Sequence, residues 1–244
     1  MKQEEKNFCL AVAGHSFYIH TLYEETWHLC GKYIVEGPAE KEIYITEEDI
    51  EEERKKTNPI DVNLQNDYLE TLAVYRKIAE AILEYDTFLM HGAVVAYENS
   101  AYMFTATSGT GKTTHIRLWL KNLKDAYVVN GDKPLIRMTG DEAIACGTPW
   151  QGKEKLGGNC MVPLKAIVLM ERGENNKIEE ITFEKALSFL LRQTYMPEDV
   201  EKMKKTLALV AKLKDGVKFY KYVFNNMKDD AFEVAYGMIV EENR

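Results

Sequence analysis

The feature that most constrains this chain is a glycine-rich turn set between an apolar run and a helix-like pattern. Residues 105–114 read Thr-Ala-Thr-Ser-Gly-Thr-Gly-Lys-Thr-Thr, and the four residues before them are apolar. A strand, a glycine-rich turn and a helix N-terminus in this order form the context of a phosphate-binding P-loop. Glycines let backbone N–H groups turn toward phosphate oxygens, and the helix end adds a positive partial charge. This first glycine loop (residues 105–114) predicts a nucleoside phosphate site.

The side chains of the first glycine loop fit the same prediction. Lys112 is placed to reach the terminal phosphates, and the Thr113 hydroxyl to help hold Mg²⁺. Ala106 stands where the usual pattern has its first glycine, and alanine is the smallest replacement. The alternative is an ordinary strand-to-helix turn with a chance Lys-Thr pair. The predicted nucleotide-binding residues are Thr107, Ser108, Gly109, Thr110, Gly111, Lys112, Thr113 and Thr114.

Composition restricts the class of protein further. Of the 244 residues 45% are hydrophobic, enough for a core, and no stretch approaches the ~20 apolar residues of a membrane-spanning helix. The net charge of −8 argues against a nucleic-acid or membrane-surface partner. Residues 1–6 carry mixed charge with no apolar segment behind them, and the four cysteines show no CxxC spacing. We expect a cytoplasmic protein with reduced thiols.

The pattern of the sequence divides the chain into two parts. Residues 1–60 are predicted to be a small β-rich region, because short apolar or alternating segments between glycines indicate an antiparallel sheet. A strongly charged stretch, 47–56, predicts a solvated connector or an exposed helix. Residues 61–244 are predicted to form the second domain, which carries the first glycine loop. The strand candidates of the first part are 8–13, 17–19, 32–35 and 42–46.

Hydrophobic periodicity predicts both helices and strands in the second part. The turn at residues 98–100 joins two strands into a hairpin that leads into the first glycine loop. Predicted strands are 88–97, 101–106, 126–130, 163–170, 178–183 and 217–224. Predicted helices are 66–85, the stretch after the first glycine loop, 184–193, a segment from Pro197 to a stop at Gly216, and 229–240.

An acid follows the strand predicted after the first glycine loop. Asp132 lies two residues beyond 126–130, where a nucleotide enzyme places a Mg²⁺ ligand or a catalytic base. The alternative is that Asp132 merely begins a turn with Gly131 and Pro134.

A second glycine-rich segment carries basic residues. This second glycine loop (residues 147–159) contains four glycines and a proline, which exclude regular structure from most of 135–160. Lys153 and Lys155 in this loop suggest a clamp on phosphate or on an acceptor. The alternative is a surface loop with solvated lysines.

Four motifs occur together in one order along the chain. They are Met-His-Gly-Ala-Val-Val at 90–95, the Ser-Gly-Thr-Gly-Lys-Thr-Thr core at 108–114, the Gly131-Asp132 strand end, and Gly-Thr-Pro-Trp-x-Gly-Lys-Glu at 147–154. With this combination the chain resembles the HPr serine kinase and phosphoenolpyruvate carboxykinase superfamily, above all its small HPr-kinase-related kinases. The resemblance implies an α/β P-loop kinase core, a mixed sheet flanked by helices, beside a small β-rich N-terminal part.

The resemblance also implies roles for single residues. Thr113 and Asp132 would coordinate Mg²⁺, and Asp132 would also take the proton from an acceptor hydroxyl. His91 matches a family histidine beside the transferred phosphate; its alternative is a packed strand histidine. HPr kinases have a second acid where this chain has Lys133, and their arginine–glycine signature is not recognisable here. Both departures argue against HPr as the acceptor and against the reverse phosphorylase reaction. The candidate catalytic residues are Asp132, Lys112, His91 and Lys153.

The implied activity is ATP- and Mg²⁺-dependent transfer of the γ-phosphoryl group to a hydroxyl. The acceptor would be serine in a peptide or protein, or free serine, and the family's ring assemblies imply a homo-oligomer. Three alternatives share the same phosphate loop. They are a non-catalytic nucleotide-binding or sensor protein, a carboxykinase-like enzyme and a simple ATPase.

Overall fold

The computed structural model describes residues 6–56, 64–226 and 228–241. The chain forms two compact units, Met1–Glu84 and Tyr85–Arg244. The sequence places the boundary near residue 60, which lies outside the described residues, whereas the structure divides the chain after Glu84. Within the described residues, helices are too short or too polar to cross a membrane. All four cysteines are free thiols.

The first unit contains a four-stranded sheet with the order β3-β1-β2-β4. The sequence predicts an antiparallel sheet, but β2 and β4 run parallel. A parallel pair needs a long crossover, and a helix and a further strand lie between these two strands in the chain. The strands are β1 Phe8–Val12, β2 His15–His20, β3 Ile34–Val35 and β4 Lys41–Tyr44.

The described part of the first unit also contains the α-helices α1 Glu25–Cys30, α2 Glu47–Lys56 and α3 Asn66–Ala81. The Glu70 carboxylate on α3 accepts hydrogen bonds from the Leu22 N–H at 2.5 Å and the Thr26 hydroxyl at 2.9 Å. Glu53 on α2 forms an ion pair with Arg76 on α3 at 2.5 Å. These contacts explain why α3 belongs with the first unit and why the division falls after it.

The second unit is a curled mixed sheet with flanking helices. Its strand order is β5-β9-β10-β11-β7-β6-β8, with β13 beside β11 and β12 beside β13. Strand β11 pairs parallel with β7 and β13 and antiparallel with β10. The strands are β5 Thr87–Leu89, β6 Ala93–Tyr97, β7 Ser100–Thr105, β8 Tyr127–Asn130, β9 Leu135–Thr139, β10 Glu142–Cys146, β11 Met161–Arg172, β12 Lys177–Ile181 and β13 Lys218–Phe224. The helices are α4 Lys112–Asn122, α5 Phe183–Gln193, α6 Val200–Gly216 and α7 Asp229–Ile239.

Helices cover both faces of this sheet. On one face Trp119 of α4 is fully buried and lies 5.5 Å from the Phe104 ring and 5.8 Å from the Phe232 ring of α7. On the other face the Phe183 ring of α5 lies 5.6 Å from the Phe219 ring of β13. Successive side chains of a strand point to opposite faces of the sheet, so the residue next to Phe219 faces the other side. The apolar residues of α4 therefore fix this helix, and the turn before it, against β7.

The structure confirms the hairpin of β6 and β7 and the helix after the first glycine loop. It corrects three other predictions. The predicted strand 88–97 is broken into β5 and β6 at His91 and Gly92, because Gly92 donates its N–H to the Asp132 carbonyl instead of continuing a ladder. The first part of 135–160 is the hairpin β9–β10, since its glycines begin only at 140. Helix α6 begins at Val200, not at Pro197, because the Asp199 carboxylate caps it by accepting from the Lys202 N–H.

Candidate functional site

The first glycine loop lies at the carboxyl edge of the parallel strands β7, β11 and β13. Strand β7 ends at Thr105, and α4 begins at Lys112. Gly109 has φ +77° and Gly111 has φ +122°, which side-chain-bearing residues rarely adopt. A Cβ on Gly109 would meet nothing within 4 Å, so the turn, not crowding, requires glycine there. This turn places the N–H groups of the first turn of α4 at the edge of a cleft.

The Lys112 side chain reaches back across the turn of the first glycine loop toward its start. Its ammonium donates to the Ala106 carbonyl at 3.2 Å, and only 8% of the residue is exposed. Burial lowers the pKa of Lys112, and the Asp132 carboxylate opposes this by favouring the charged form. Ala106 is fully buried and does not share the left-handed φ of the two glycines. Alanine therefore fits where the usual pattern has glycine.

The hydroxyls of the first glycine loop fall into two groups. Ser108, Thr113 and Thr114 line the cleft. Thr107 and Thr110, predicted to bind nucleotide, are not among the lining residues; their hydroxyl oxygens lie 2.9 Å apart, in hydrogen-bond contact. Their visible role is to hold the shape of the loop.

Asp132 and His91 come together across the same cleft. The Asp132 carboxylate lies 3.2 Å from His91 Nε2 and 3.6 Å from the Lys133 ammonium. Burial raises the pKa of Asp132, but the hydrogen bond from His91 and the charges of Lys133 and Lys112 outweigh it, so the net pKa is lowered. The carboxyl is therefore ionised at neutral pH.

His91 is held by contacts from distant segments. Its backbone N–H donates to the Gln193 carbonyl at 2.7 Å, and its Nδ1 lies 3.0 Å from Gln193 Oε1. Its carbonyl accepts from the Thr105 hydroxyl at 2.8 Å. At the adjacent Gly92 a Cβ would lie 3.1 Å from the Phe104 carbonyl oxygen and 2.4 Å from Met103 Cε, so a larger residue there would require the Met103 side chain to move. The break between β5 and β6 thus turns the imidazole toward Asp132.

The second glycine loop packs on the strand that precedes Asp132. The Gly131 N–H donates to the Leu156 carbonyl at 2.9 Å, and the Gly158 N–H donates to the Val129 carbonyl at 3.3 Å. Gly152 passes so close to the acid that a Cβ there would lie 3.0 Å from Asp132 Cβ. These contacts bring Lys153 to the cleft.

A single cleft of about 530 Å³ unites most of the predicted residues. All four candidate catalytic residues line it, and the second glycine loop contributes four residues to its wall. The lining residues are His91, Ser108, Gly109, Gly111, Lys112, Thr113, Thr114, Gly131, Asp132, Gln151, Gly152, Lys153 and Glu154. Lys155 lies outside this set.

The groups around the cleft fit a Mg²⁺-bound nucleoside phosphate. Backbone N–H groups and the Lys112 ammonium suit phosphate oxygens, while the Asp132 carboxylate and the Thr113 hydroxyl suit Mg²⁺. The described part of the chain contains no group of three or more His, Cys, Asp or Glu that would hold a metal by itself. Mg²⁺ commonly binds through one or two carboxylates plus substrate phosphates, so the nucleotide would complete its coordination.

Sequence reasoning missed two residues, Asn130 and Gln193, which do not line the cleft but contact residues that do. Asn130 is a fully buried polar residue at the end of β8, directly before the turn that carries Asp132. The sequence does carry one signal for Asn130, a polar residue at the end of an apolar strand. Gln193 lies 102 residues beyond His91 in the chain, and no local pattern announces their contact.

Comparisons with known proteins add little to what the geometry of the cleft indicates. No protein-family model matches the chain, and no curated protein matches it. Among solved structures it is similar to the HPr(Ser) kinase/phosphatase from Coxiella burnetii, with a TM-score of 0.39 and 8% identity over 64% of this chain and 99% of that chain. A similarity of this size carries no inference about activity, which must come from the cleft itself.

Proposed function

We propose that this chain is an ATP- and Mg²⁺-dependent phosphotransferase that moves the γ-phosphoryl group to a hydroxyl, in a P-loop kinase fold. The acceptor class is serine, in a peptide or protein or as the free amino acid. One observation carries the proposal: a helix N-terminus, a buried ammonium and an ionised carboxylate face the same cleft. Phosphoryl transfer needs positioning and charge neutralisation around the phosphates, which these three groups supply.

The first glycine loop and Lys112 would bind the β- and γ-phosphates. Because Lys112 is held beneath the turn by the Ala106 carbonyl, it would need little reorganisation when phosphate arrives. Bound Mg²⁺ would neutralise charge on the phosphates, and Asp132 and Thr113 are the side chains that would hold it. Lys153, which also lines the cleft, would add positive charge near the transferred group.

The lowered pKa of Asp132 refines its role. A general base works best when its pKa lies near the working pH, and this carboxyl lies well below that. Asp132 would therefore orient the acceptor hydroxyl and the metal more than it would remove a proton early in the reaction. His91, 3.2 Å away, would hold the carboxylate in place. Loose phosphoryl-transfer transition states need little help from a base.

The test is transfer of labelled γ-phosphate from ATP with Mg²⁺. Acceptors would be free serine, a pool of serine-containing peptides and HPr, beside a control without acceptor. We expect Asp132→Asn to bind ATP but to lose roughly 10²–10³-fold in turnover, the usual cost of removing one such group. Asp125→Asn, the same substitution at an exposed site between α4 and β8, should behave as wild type.

Each outcome separates the proposal from its rivals. Label on an acceptor, lost in Asp132→Asn, supports the phosphotransferase. Tight ATP binding without transfer would instead favour a nucleotide sensor, and hydrolysis that no acceptor stimulates would favour an ATPase. Unchanged turnover in Asp132→Asn would show that the assignment of this residue is wrong.

A further inference from the structure

A fully buried amide closes the strand that leads to Asp132. The side-chain oxygen of Asn130 accepts hydrogen bonds from the backbone N–H groups of Asp132, at 2.9 Å, and Lys133, at 2.7 Å. Its side-chain nitrogen donates to the carbonyl of Thr148 at 3.1 Å and to the Thr148 hydroxyl at 2.9 Å. Because two N–H donors face one end of the amide and a carbonyl faces the other, only one orientation satisfies it.

Thr148 completes a ring of contacts around this amide. It is fully buried, and its hydroxyl donates onward to the Lys133 carbonyl at 2.8 Å. Thr148 is the second residue of the second glycine loop, and Lys133 directly follows Asp132. The Asn130 side chain therefore joins the turn that carries Asp132 to the start of the second glycine loop, which carries Lys153.

The chemistry of the position excludes simple replacements. Aspartate would keep the acceptor for the two N–H groups but would face the Thr148 carbonyl with a second acceptor. An apolar residue would leave two N–H groups and the Thr148 oxygens without their present partner in a buried site, which is costly. If the side chain at position 130 only filled space, an apolar residue would be expected, because it needs no hydrogen-bond partners.

We infer that Asn130 is a positioning residue, which sets the place of the Asp132 carboxylate and couples it, through Thr148, to the second glycine loop. This inference rests on the proposed function, because it assigns Asn130 to the Mg²⁺-dependent step of that reaction. Asn130 does not line the cleft, so it acts through its neighbours and not on the nucleotide. Loss of the Asn130 side chain should raise the Mg²⁺ concentration that gives half-maximal activity and leave the contacts of the first glycine loop intact.

The experiment measures three quantities on the full chain: turnover, the Mg²⁺ concentration giving half-maximal activity, and ATP affinity with and without Mg²⁺. For Asn130→Asp we expect turnover lower by about 10–100-fold, because a misplaced catalytic group costs up to that much. The Mg²⁺ midpoint should rise several-fold, and ATP affinity without Mg²⁺ should stay within about twofold of wild type. Asn99→Asp, at an exposed turn position, is the matched control.

A second pair of variants keeps the inference testable if Asn130→Asp does not fold. Thr148→Val removes the hydroxyl at nearly constant volume and should raise the Mg²⁺ midpoint; Thr148→Ser keeps the hydroxyl and should show a smaller rise. Variants that only melt earlier, with wild-type turnover and Mg²⁺ midpoint per folded molecule, would overturn the inference. Wild type that transfers phosphate to nothing would overturn the proposed function instead. In that case the Mg²⁺-dependent gain in ATP affinity, lost in Thr148→Val, still decides the role of Asn130.

Discussion

Both loops of the cleft contain several glycines, but Gly109 in the first loop and Gly147 in the second are required for different reasons. In the first loop a Cβ on Gly109 would meet nothing within 4 Å, and only its φ of +77° demands glycine. In the second loop a Cβ on Gly147 would lie 1.8 Å from the Gly158 carbonyl oxygen and 2.9 Å from that of Val129. The first loop is therefore open around Gly109, whereas the second loop packs closely against backbone atoms around Gly147.

The largest effect on ATP binding should follow from removing the positive charge of Lys112 in the first loop. Lys112→Met keeps the volume of the buried side chain and removes the ammonium, so ATP affinity should fall by roughly 10–100-fold, the worth of a hydrogen bond to a charged group. Because burial already lowers the pKa of Lys112, its ammonium costs folding stability, and the melting temperature should not fall. Calorimetric titration with ATP and thermal unfolding measure both.

The matched control for this change lies on the same helix. Lys121→Met removes an exposed lysine that pairs with Asp229 at 2.7 Å, far from the cleft along α4. Its ATP affinity should equal that of wild type. Equal losses in both variants would mean that general charge, and not the first glycine loop, attracts the nucleotide.

The comparison of the glycines themselves predicts a difference in stability. Gly147→Ala places a methyl group against backbone atoms that cannot move alone, so it should destabilise by about 3 kcal/mol or more. For a chain of this size that lowers the melting temperature by roughly 6–12 °C. Gly109→Ala should cost only about 1–2 kcal/mol, the strain of a left-handed residue, and should weaken ATP binding more than Gly147→Ala does in the folded protein. The reverse order of melting temperatures would contradict our distinction between the loops.

Between the two loops, Asp132 should give a pH-dependent contribution to stability. Its folded-state pKa is lowered from 3.8, so the native state binds this proton more weakly than the unfolded chain. The stabilisation is complete above the unfolded pKa and is lost as the pH falls through the folded one. Urea unfolding should show the stability gap between wild type and Asp132→Asn narrowing below about pH 4. A gap that stays constant down to pH 2 would rule out this linkage.

The smallest effect should come from the ion pair that joins the second glycine loop to α4. Arg117 pairs with Glu154, and both side chains are about half exposed. Such exposed pairs contribute roughly 0.2–1 kcal/mol and are screened by salt. A double-mutant cycle of Arg117→Met and Glu154→Gln should therefore give a coupling energy in that range, which vanishes at high salt. Coupling above 2 kcal/mol would show that the pair fixes the loop more firmly than its exposure suggests.

Much of the second unit could be predicted because its signals are local. The hairpin of β6 and β7 has a turn at Glu98 and Asn99, both with positive φ, and α4 shows its apolar face in the sequence. The break at His91 and Gly92 is harder to predict, because a glycine inside a strand pattern indicates a bulge or a close approach of the backbone but not that the strand ends and restarts there. Likewise, nothing local tells β4 to pair with β2 in the parallel direction.

The sequence alone determined that a strand, a glycine turn and a helix follow one another, since backbone freedom at glycine and the spacing of apolar residues act over a few positions. It also put an acid, Asp132, two residues after β8. The tertiary structure alone decided that His91 meets Asp132 at 3.2 Å and that Asn130 binds Thr148. Those contacts join segments far apart in the chain, and their geometry depends on how the whole sheet curls and packs against its helices.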